Sequence, residues 1–377
     1  METKRRLRVL VVDDSVVMRR AISDVLSSEP SIEVVGTASN GVVALTKIPL
    51  LEPDVVTMDV EMPDMDGLEA LREIRKLRSS LAVVMVSSLT ERGAATTLQA
   101  LALGATDYVA KPTANGDRDA WSATLGRELV PKVLALKPRS EPPRPATRPN
   151  PPAATLPTVA RALPRVDRAT RGPIEILAIG ASTGGPAALT TLFGALPRNL
   201  PVPVVVVQHM PPLFTRLFSE RLSATTGFDV REAQEGDPLV AARAYVAPGD
   251  HHLSLVREGL EIRTALSRGP QENSCRPAVD VLFRSVAALF GGRALGVILT
   301  GMGQDGLRGC EQIHATGCAI LAQDEASSVV WGMPRAIAQS GIADAILPLS
   351  EIGPEITRRI GLSRSIAHSP PRVGAGP

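Results

Sequence analysis

Short runs of aliphatic and β-branched residues recur along this chain, and each pair is separated by a stretch with room for one helix. In the first third the runs are Leu7 to Val12, Ile32 to Ala38, Asp54 to Asp59, Ala82 to Ser87 and Asp107 to Pro112, and intervening stretches such as GLEALREIRKLRSS carry apolar residues at helical spacing. Five strand–helix alternations restrict this part to an α/β fold, a doubly wound parallel sheet with helices on both faces. Parallel neighbours need a crossover connection, and a crossover helix must bury its apolar stripe on the sheet. The same grammar returns after residue 172 with the nearly continuous apolar runs IEILAIG, VPVVVVQH and ALGVILTG. Strands of that kind are buried on both faces of a parallel sheet, so a second α/β domain is expected.

Between these two regions lies KPRSEPPRPATRPNPPAATLPTVARALPRVDRATRG, where proline recurs and arginine outnumbers acid. Such a stretch can build neither a helix interior nor a central strand and has little to bury, so it is expected to be a semi-extended linker. The expected division is a first domain over 1–136, a linker over 137–172, a second domain over 173–362 and a disordered tail over 363–377, which ends SRSIAHSPPRVGAGP. At 377 residues the chain is long enough for two ordinary domains.

Charge and composition remove several function classes. A net charge of +2 and 3% aromatic residues leave no basic, aromatic-interleaved surface, so no nucleic-acid partner is expected. The opening METKRRLRVLVVDDS begins like a signal peptide, but Asp13 and Asp14 interrupt its apolar run. No segment approaches the roughly 18 apolar residues of a membrane span, so a cytoplasmic protein without membrane insertion is expected. Cys275, Cys310 and Cys318 are odd in number and lack metal-site spacing. They are expected to be free thiols in a reducing compartment, structural or incidental.

Reactive groups in open α/β sheets gather beyond the carboxyl ends of the strands. In the first domain, strand one ends in Asp13-Asp14, strand three at Asp59 and strand five in Lys111-Pro112. If strands one, three and five are neighbours, these side chains converge. Clustered carboxylates repel unless a cation sits among them, and oxygen-only ligands suit Mg²⁺, with Asp13, Asp14 and Asp59 around it. With Mg²⁺ and Lys111 neutralising charge, Asp59 can accept a phosphoryl group as an acyl phosphate. Ser87 can donate to the added oxygens, and Tyr108 can turn inward in response. Any one of these aspartates is equally well explained as a helix cap or turn residue; the ordered set at strand ends is not.

In the second domain, ILAIGASTGGPAALTTLF opens a strand into a helix through a glycine-rich turn. A dinucleotide fingerprint would need glycine where Ser182 stands, and an acidic residue after the next strand is missing. The same letters satisfy G-x-S-x-G at Gly180, Ser182 and Gly184. A serine there is often just a helix cap, so a nucleophile also requires a base and a group to orient it. His209, just past a buried strand, and Asp305, in a glycine-rich loop after another, supply both. Of the other four histidines, His251 and His252 follow a turn, His314 lies in a helical pattern and His368 in the tail, and surface positions are expected for them.

Residues Leu7 to Val133 resemble a response-regulator receiver domain through VVDDS, MDVEMPDMDG, VMVSS and YVAKP. Residues Ile174 to Ile360 resemble the catalytic domain of the bacterial chemotaxis protein-glutamate methylesterases, the CheB family, through IGASTGGP, VQHMPPLFTRLFSERL, YVAPGDHHL, RPAVDVLFRSVA, LTGMGQDG and GMPRAI. The resemblance implies phosphorylation of Asp59 by a histidine kinase, with Asp14 binding Mg²⁺ directly, Asp13 acting through water, and Ser87 and Lys111 touching the phosphoryl group. It implies Ser182 as nucleophile, His209 as general base, Asp305 as its orienting partner and the Met302 backbone N–H as an oxyanion donor. The implied activities are demethylation of glutamate methyl esters and deamidation of glutamines on chemoreceptors, by an enzyme expected to be a monomer and to need no cofactor for the ester chemistry. Gln304 and Cys275 depart from the usual pattern, and neither is expected to touch the triad. An unphosphorylated receiver is expected to lie across the carboxyl edge of the catalytic sheet and obstruct Ser182. The rival readings are a nucleotide-binding sensor, disfavoured by Ser182 in the glycine loop, and a noncatalytic adaptor or transcription regulator, disfavoured by the lack of a basic recognition helix.

Overall fold

A computed structural model describes residues 5–88, 90–111, 118–136 and 173–367. Pro112, the expected linker and residues 368–377 lie outside the described residues. The first unit runs β1 (Leu7–Val12), α1 (Val16–Ser27), β2 (Ile32–Ala38), α2 (Gly41–Leu51), β3 (Val55–Asp59), α3 (Gly67–Leu77), β4 (Ala82–Ser87), α4 (Glu91–Ala102), β5 (Asp107–Ala110) and α5 (Arg118–Ala135). Its five strands pair in parallel in the order β2-β1-β3-β4-β5. Every residue of β3 is buried, as both-face coverage demands. Side-chain caps start the helices: Ser15 accepts from the Met18 amide at α1, and Asp66 forms a reciprocal capping box with Glu69 at α3.

The second unit runs β6 (Ile176–Ala181), α6 (Gly185–Ala195), β7 (Val204–Gln208), α7 (Phe214–Thr226), β8 (Asp229–Glu232), β9 (Arg243–Val246), β10 (His252–Glu258), β11 (Glu261–Ser267), α8 (Val279–Phe290), β12 (Ala294–Ile298), α9 (Leu307–Ala315), β13 (Ala319–Gln323), α10 (Met333–Ser340), β14 (Ala345–Leu347) and α11 (Leu349–Ala367). Seven parallel strands lie in the order β14-β13-β12-β6-β7-β9-β8, and β10 and β11 form a separate antiparallel hairpin. The three central strands β12, β6 and β7 are buried throughout.

The structure corrects three expectations. Strands one and three are neighbours, but β4 separates β3 from β5, so the fifth strand does not adjoin the third. The last helix continues to Ala367, past the expected domain end at 362. His252 is buried, with Nε2 2.9 Å from the Pro270 carbonyl oxygen and Nδ1 accepting from the Ala278 amide, because it opens β10 rather than standing in a surface turn.

The two units touch through α4, which packs on α6 and α7. The Tyr108 and Phe214 rings stack with centroids 4.6 Å apart, and Glu91 meets Arg216 at 2.7 Å. Both members of that ion pair are solvent-exposed, so the stacked rings and the apolar helix faces dominate the contact. No helix among the described residues is long and apolar enough to cross a membrane.

Candidate functional site

The order of the first sheet reverses between β1 and β3, and a crevice opens there beyond the strand ends. Asp13, following β1, and Asp59, ending β3, are both buried; Asp14 is exposed. Carboxylate oxygens of the three lie within 4.8 Å of one another. Lys111 crosses over β4 to reach them, with Nζ 2.7 Å from Asp59 Oδ2 and 3.1 Å from Asp13 Oδ2. Two strand spacings are about 9.6 Å, and a four-carbon side chain covers much of that span. Three carboxylates share the single Lys111 ammonium here, and a hard cation with oxygen ligands would balance the charge that remains. The residues present therefore fit a Mg²⁺ ion.

Burial pushes the Asp59 carboxyl up to about 6, with Lys111 opposing that rise and the nearby Asp13 charge adding to it. Burial acts on Lys111 in the opposite sense, but Asp59 and Asp13 outweigh it and hold the ammonium above its ordinary range. The Ser87 hydroxyl is buried and donates to the Gly93 carbonyl at 3.1 Å, in the first turn of α4, rather than to Asp59. Tyr108 is buried against Phe214.

The Asp59 shift has a stability consequence. Its folded value lies above the ordinary 3.8, so its contribution to stability is fully present below about pH 4 and is lost as pH rises through about 6. Asp59→Asn is neutral throughout and is expected to stabilise the chain at pH 7.5 by on the order of 1–3 kcal/mol, the lost Lys111 contact setting the spread. Urea unfolding of the two proteins at pH 4.5 and 7.5 checks this; a variant no more stable than the parent at pH 7.5 would contradict it.

In the second sheet, β6 is flanked by β12 and β7, and the three candidate residues follow these three neighbouring strands. Ser182 sits one residue past β6 in a turn that enters α6. Gly184 supplies the left-handed conformation there at φ 77°, and a Cβ on Gly185 would run into Gln208 Oε1. The turn thereby presses against β7, where Gln208 Nε2 donates to the Ser182 carbonyl at 2.9 Å and the His209 amide donates to the Ala181 carbonyl at 3.2 Å. Ser182 is half-buried.

His209 Nε2 lies 2.9 Å from Asp305 Oδ2. The carboxylate is embedded in donors: its Oδ2 also accepts from the Val279 amide at 2.6 Å, and its Oδ1 accepts from Asn273 Nδ2 at 2.9 Å, the Asp280 amide at 3.1 Å and the Gly306 amide at 3.0 Å. Val279 and Asp280 begin α8, so Asp305 caps a helix N-terminus, where negative charge is favoured. Burial would raise Asp305, but the His209 hydrogen bond and these amides pull it below its ordinary value. Burial would lower His209, and the bonds from Asp305 and then Cys275 more than offset it, so the imidazole is raised well above its ordinary range.

In its neutral form, an imidazole that donates Nε2–H to a carboxylate carries its lone pair on Nδ1. That nitrogen faces Cys275 Sγ at 3.6 Å. Cys275 therefore does touch the proposed triad, contrary to the expectation from sequence; Cys310 and Cys318 are buried away in the core. Ser182 and His209 are brought onto adjacent strand ends but share no hydrogen bond among the described residues, a looseness common before substrate arrives. The Met302 amide takes part in no hydrogen bond among the described residues, and the residue before it, Gly301, packs against Ser182. Gln304 lends its carbonyl to the Leu307 amide at 3.1 Å.

Asn273 and Asp280 were missed in the sequence. Asn273 Nδ2 bridges Asp305 and Asp280, and Asp280 in turn accepts from the Gly309 amide at 2.7 Å. Asp280 in the RPAVD run, just before a helical pattern, signals an acid in the first turn of a helix, although it does not reveal which carboxylate the helix end receives.

A response regulator receiver domain model matches residues 9–118, and a CheB methylesterase model matches residues 177–356. The protein-glutamate methylesterase/protein-glutamine glutaminase of Nocardioides is 50% identical over 359 residues, covering 95% of this chain and 96% of that protein. The protein of the same name from Trichodesmium erythraeum is 47% identical over 356 residues, covering 94% of this chain and 99% of that protein. The crystal structure of the Thermotoga maritima CheB methylesterase catalytic domain is 38% identical and covers 49% of this chain and 98% of that chain, with a TM-score of 0.48.

Proposed function

The chain belongs to the CheB methylesterase family, with a receiver domain ahead of the catalytic one, and from that premise we propose that Ser182, His209 and Asp305 carry out its ester hydrolysis. It is a protein-glutamate methylesterase and protein-glutamine glutaminase regulated by phosphorylation. The observation that carries the site assignment is the His209–Asp305 pair at the N-terminus of α8, one strand end away from Ser182.

Ser182 Oγ attacks the ester carbonyl while His209 Nδ1 takes its proton. The Met302 amide stabilises the oxyanion. The imidazolium then protonates the departing methoxide, releasing methanol, and water cleaves the acyl-enzyme with the same groups in reversed roles. A glutamine side chain follows the same course and releases ammonia. Asp305 stabilises the imidazolium and holds the Nε2–H tautomer throughout.

The receiver domain belongs to a class that is phosphorylated and binds Mg²⁺. In this chain Asp13, Asp14 and Asp59 would hold the ion, with Asp59 the acceptor and Ser87 and Lys111 on the phosphoryl oxygens. Bound there, Mg²⁺ neutralises charge between the incoming phosphoryl group and the carboxylates. We assign residues 1–136 to the receiver and 173–367 to the catalytic domain. The partners are a histidine kinase and methylated chemoreceptors, met by a monomer in the cytoplasm.

The receiver contact supports a route for regulation. Helices α6 and α7 launch from the Ser182 and His209 loops, and α4 packs on both. A phosphoryl group on Asp59 that draws the Ser87 hydroxyl away from the Gly93 carbonyl alters the first turn of α4, and with it this contact. Tyr108→Ala, which deletes the stack on Phe214, is expected to raise the phosphodonor-independent rate about 2- to 10-fold, in line with the strength of one aromatic pair. An unchanged or lower rate would count against restraint by the receiver. The function itself is tested by methanol release from methylated receptor membranes, with and without Mg²⁺ and a small phosphodonor. Release that rises with phosphodonor is expected; no release under either condition overturns the reading.

A further inference from the structure

The basic nitrogen of the catalytic imidazole is paired with a thiol, and the loop that delivers this thiol is built to hold it there. Glu272 and Cys275 exchange two backbone hydrogen bonds, of 3.1 and 2.8 Å, across a two-residue turn. The turn residues Asn273 and Ser274 both have positive φ, 51° and 61°, the signature of a type I′ turn. Ion pairs clamp both flanks: Arg284 Nη1 holds Glu272 Oε2 at 2.8 Å, and Arg276 Nε holds Asp250 Oδ1 at 3.0 Å. From this one turn, Asn273 reaches Asp305 and Cys275 reaches His209.

We propose that His209 Nδ1 and Cys275 Sγ form a binding site for a thiophilic divalent cation, Zn²⁺ or its probe Co²⁺, whose occupation shuts off the esterase. The inference rests on the reading of His209 as the general base. Tetrahedral Zn²⁺ binds histidine nitrogen at about 2.0–2.1 Å and cysteine sulfur at about 2.3 Å, which sets the two donors about 3.6 Å apart. The observed separation is 3.6 Å. The protein supplies two ligands, His209 Nδ1 and Cys275 Sγ, and water would complete the tetrahedron. Asp305 holds the opposite ring nitrogen, and a carboxylate behind a ligating histidine is the usual support of a zinc-bound imidazole. A serine-hydrolase relay and a carboxylate–histidine–metal relay use the same two residues in the same orientation. Here a cysteine supplies the second ligand.

Binding displaces the Cys275 proton to solvent and occupies the lone pair that would accept the Ser182 proton. Hard Mg²⁺ prefers the oxygen-only cluster of the receiver and binds this nitrogen–sulfur pair poorly. The ion that phosphorylation requires and the ion that inhibits are thereby sorted by donor chemistry within one chain.

The test uses the full-length chain. Titration with Co²⁺ is expected to give a thiolate-to-metal charge-transfer band that saturates at one equivalent and is absent in both Cys275→Ala and His209→Ala. Zn²⁺ is expected to suppress phosphodonor-independent methanol release reversibly on chelation, with half-inhibition shifted at least tenfold higher in Cys275→Ala relative to that variant's own uninhibited rate. Cys275→Ser, of nearly unchanged size, repeats the measurement should the alanine variant misfold. No band, or a band that persists in both Cys275 variants, overturns the site. A Cys275-dependent band with no effect of Zn²⁺ on methanol release overturns the inhibitory role. Absence of methanol release from the metal-free parent, with the band intact, would instead sink the esterase reading and leave the metal site standing.

Discussion

Ser182→Ala is expected to lower methanol release by about 10⁶-fold, because removing the nucleophile of a serine–histidine relay costs about as much as removing the whole relay. The residual rate comes from oxyanion binding and substrate positioning, which the substitution leaves in place. Little else should change. Ser182 lies in a turn held by backbone contacts, including its own amide on the Thr300 carbonyl at 3.1 Å and its carbonyl on Gln208, so the loop keeps its shape without the hydroxyl. Unfolding curves of parent and variant should coincide within about 0.5 kcal/mol, the usual range for a change that removes no buried partner. Receiver phosphorylation, read with a radiolabelled phosphodonor, should also be unaffected. A variant that keeps even a hundredth of the parent rate would remove Ser182 from the role of nucleophile.

Asp305→Asn is expected to cost about 10⁴-fold in kcat, the penalty for losing the tautomer and the imidazolium partner in a relay of this kind. The reason is visible in the donors around it. Five hydrogen bonds converge on two carboxylate oxygens, from His209, Val279, Asn273, Asp280 and Gly306. An amide offers one oxygen, so its NH₂ must confront N–H donors on the other side, and His209 either loses its acceptor or turns over. The pH profile separates this from simple damage. His209 works as a base when neutral, so activity is lost as pH falls through its folded pKa. Asp305 holds that pKa above the ordinary range after burial has acted in the opposite sense. Removing the carboxylate lowers it, and the acid limb of the residual activity should move to lower pH. A limb that stays in place, with kcat within tenfold of the parent, would show that Asp305 does not tune the imidazole.

These two substitutions differ in what they ask of the fold. Ser182 is a local feature, one residue past a strand and three before a helix, and its surroundings are legible as a pattern of glycines. Asp305 depends on α8, which begins 26 residues earlier in the chain and crosses to receive it. The same contrast runs through the receiver. Asp13 and Asp59 end neighbouring strands, whereas Lys111 reaches them across β4, an apolar run that is plain in the sequence but whose place in the sheet order is not.

The amino-acid sequence by itself determined two parallel-sheet units and the set of strand ends at which chemistry had to be sought. Buried parallel strands impose a continuous apolar pattern, and their loops must carry whatever is polar. Only the tertiary structure decided that Cys275 covers the basic nitrogen of His209, that Asn273 bridges two buried carboxylates, and that Tyr108 stacks on Phe214 of the other unit. Apart from the Asn273–Asp280 bond, which spans seven residues, these contacts join residues far apart in the chain. Two of them hang on a turn in which Asn273 suits positive φ but Ser274 does not, so local propensity marks only half of it. Such contacts arise where separately folded loops close over one another, and their partners are selected by shape and distance after the strands and helices are in place.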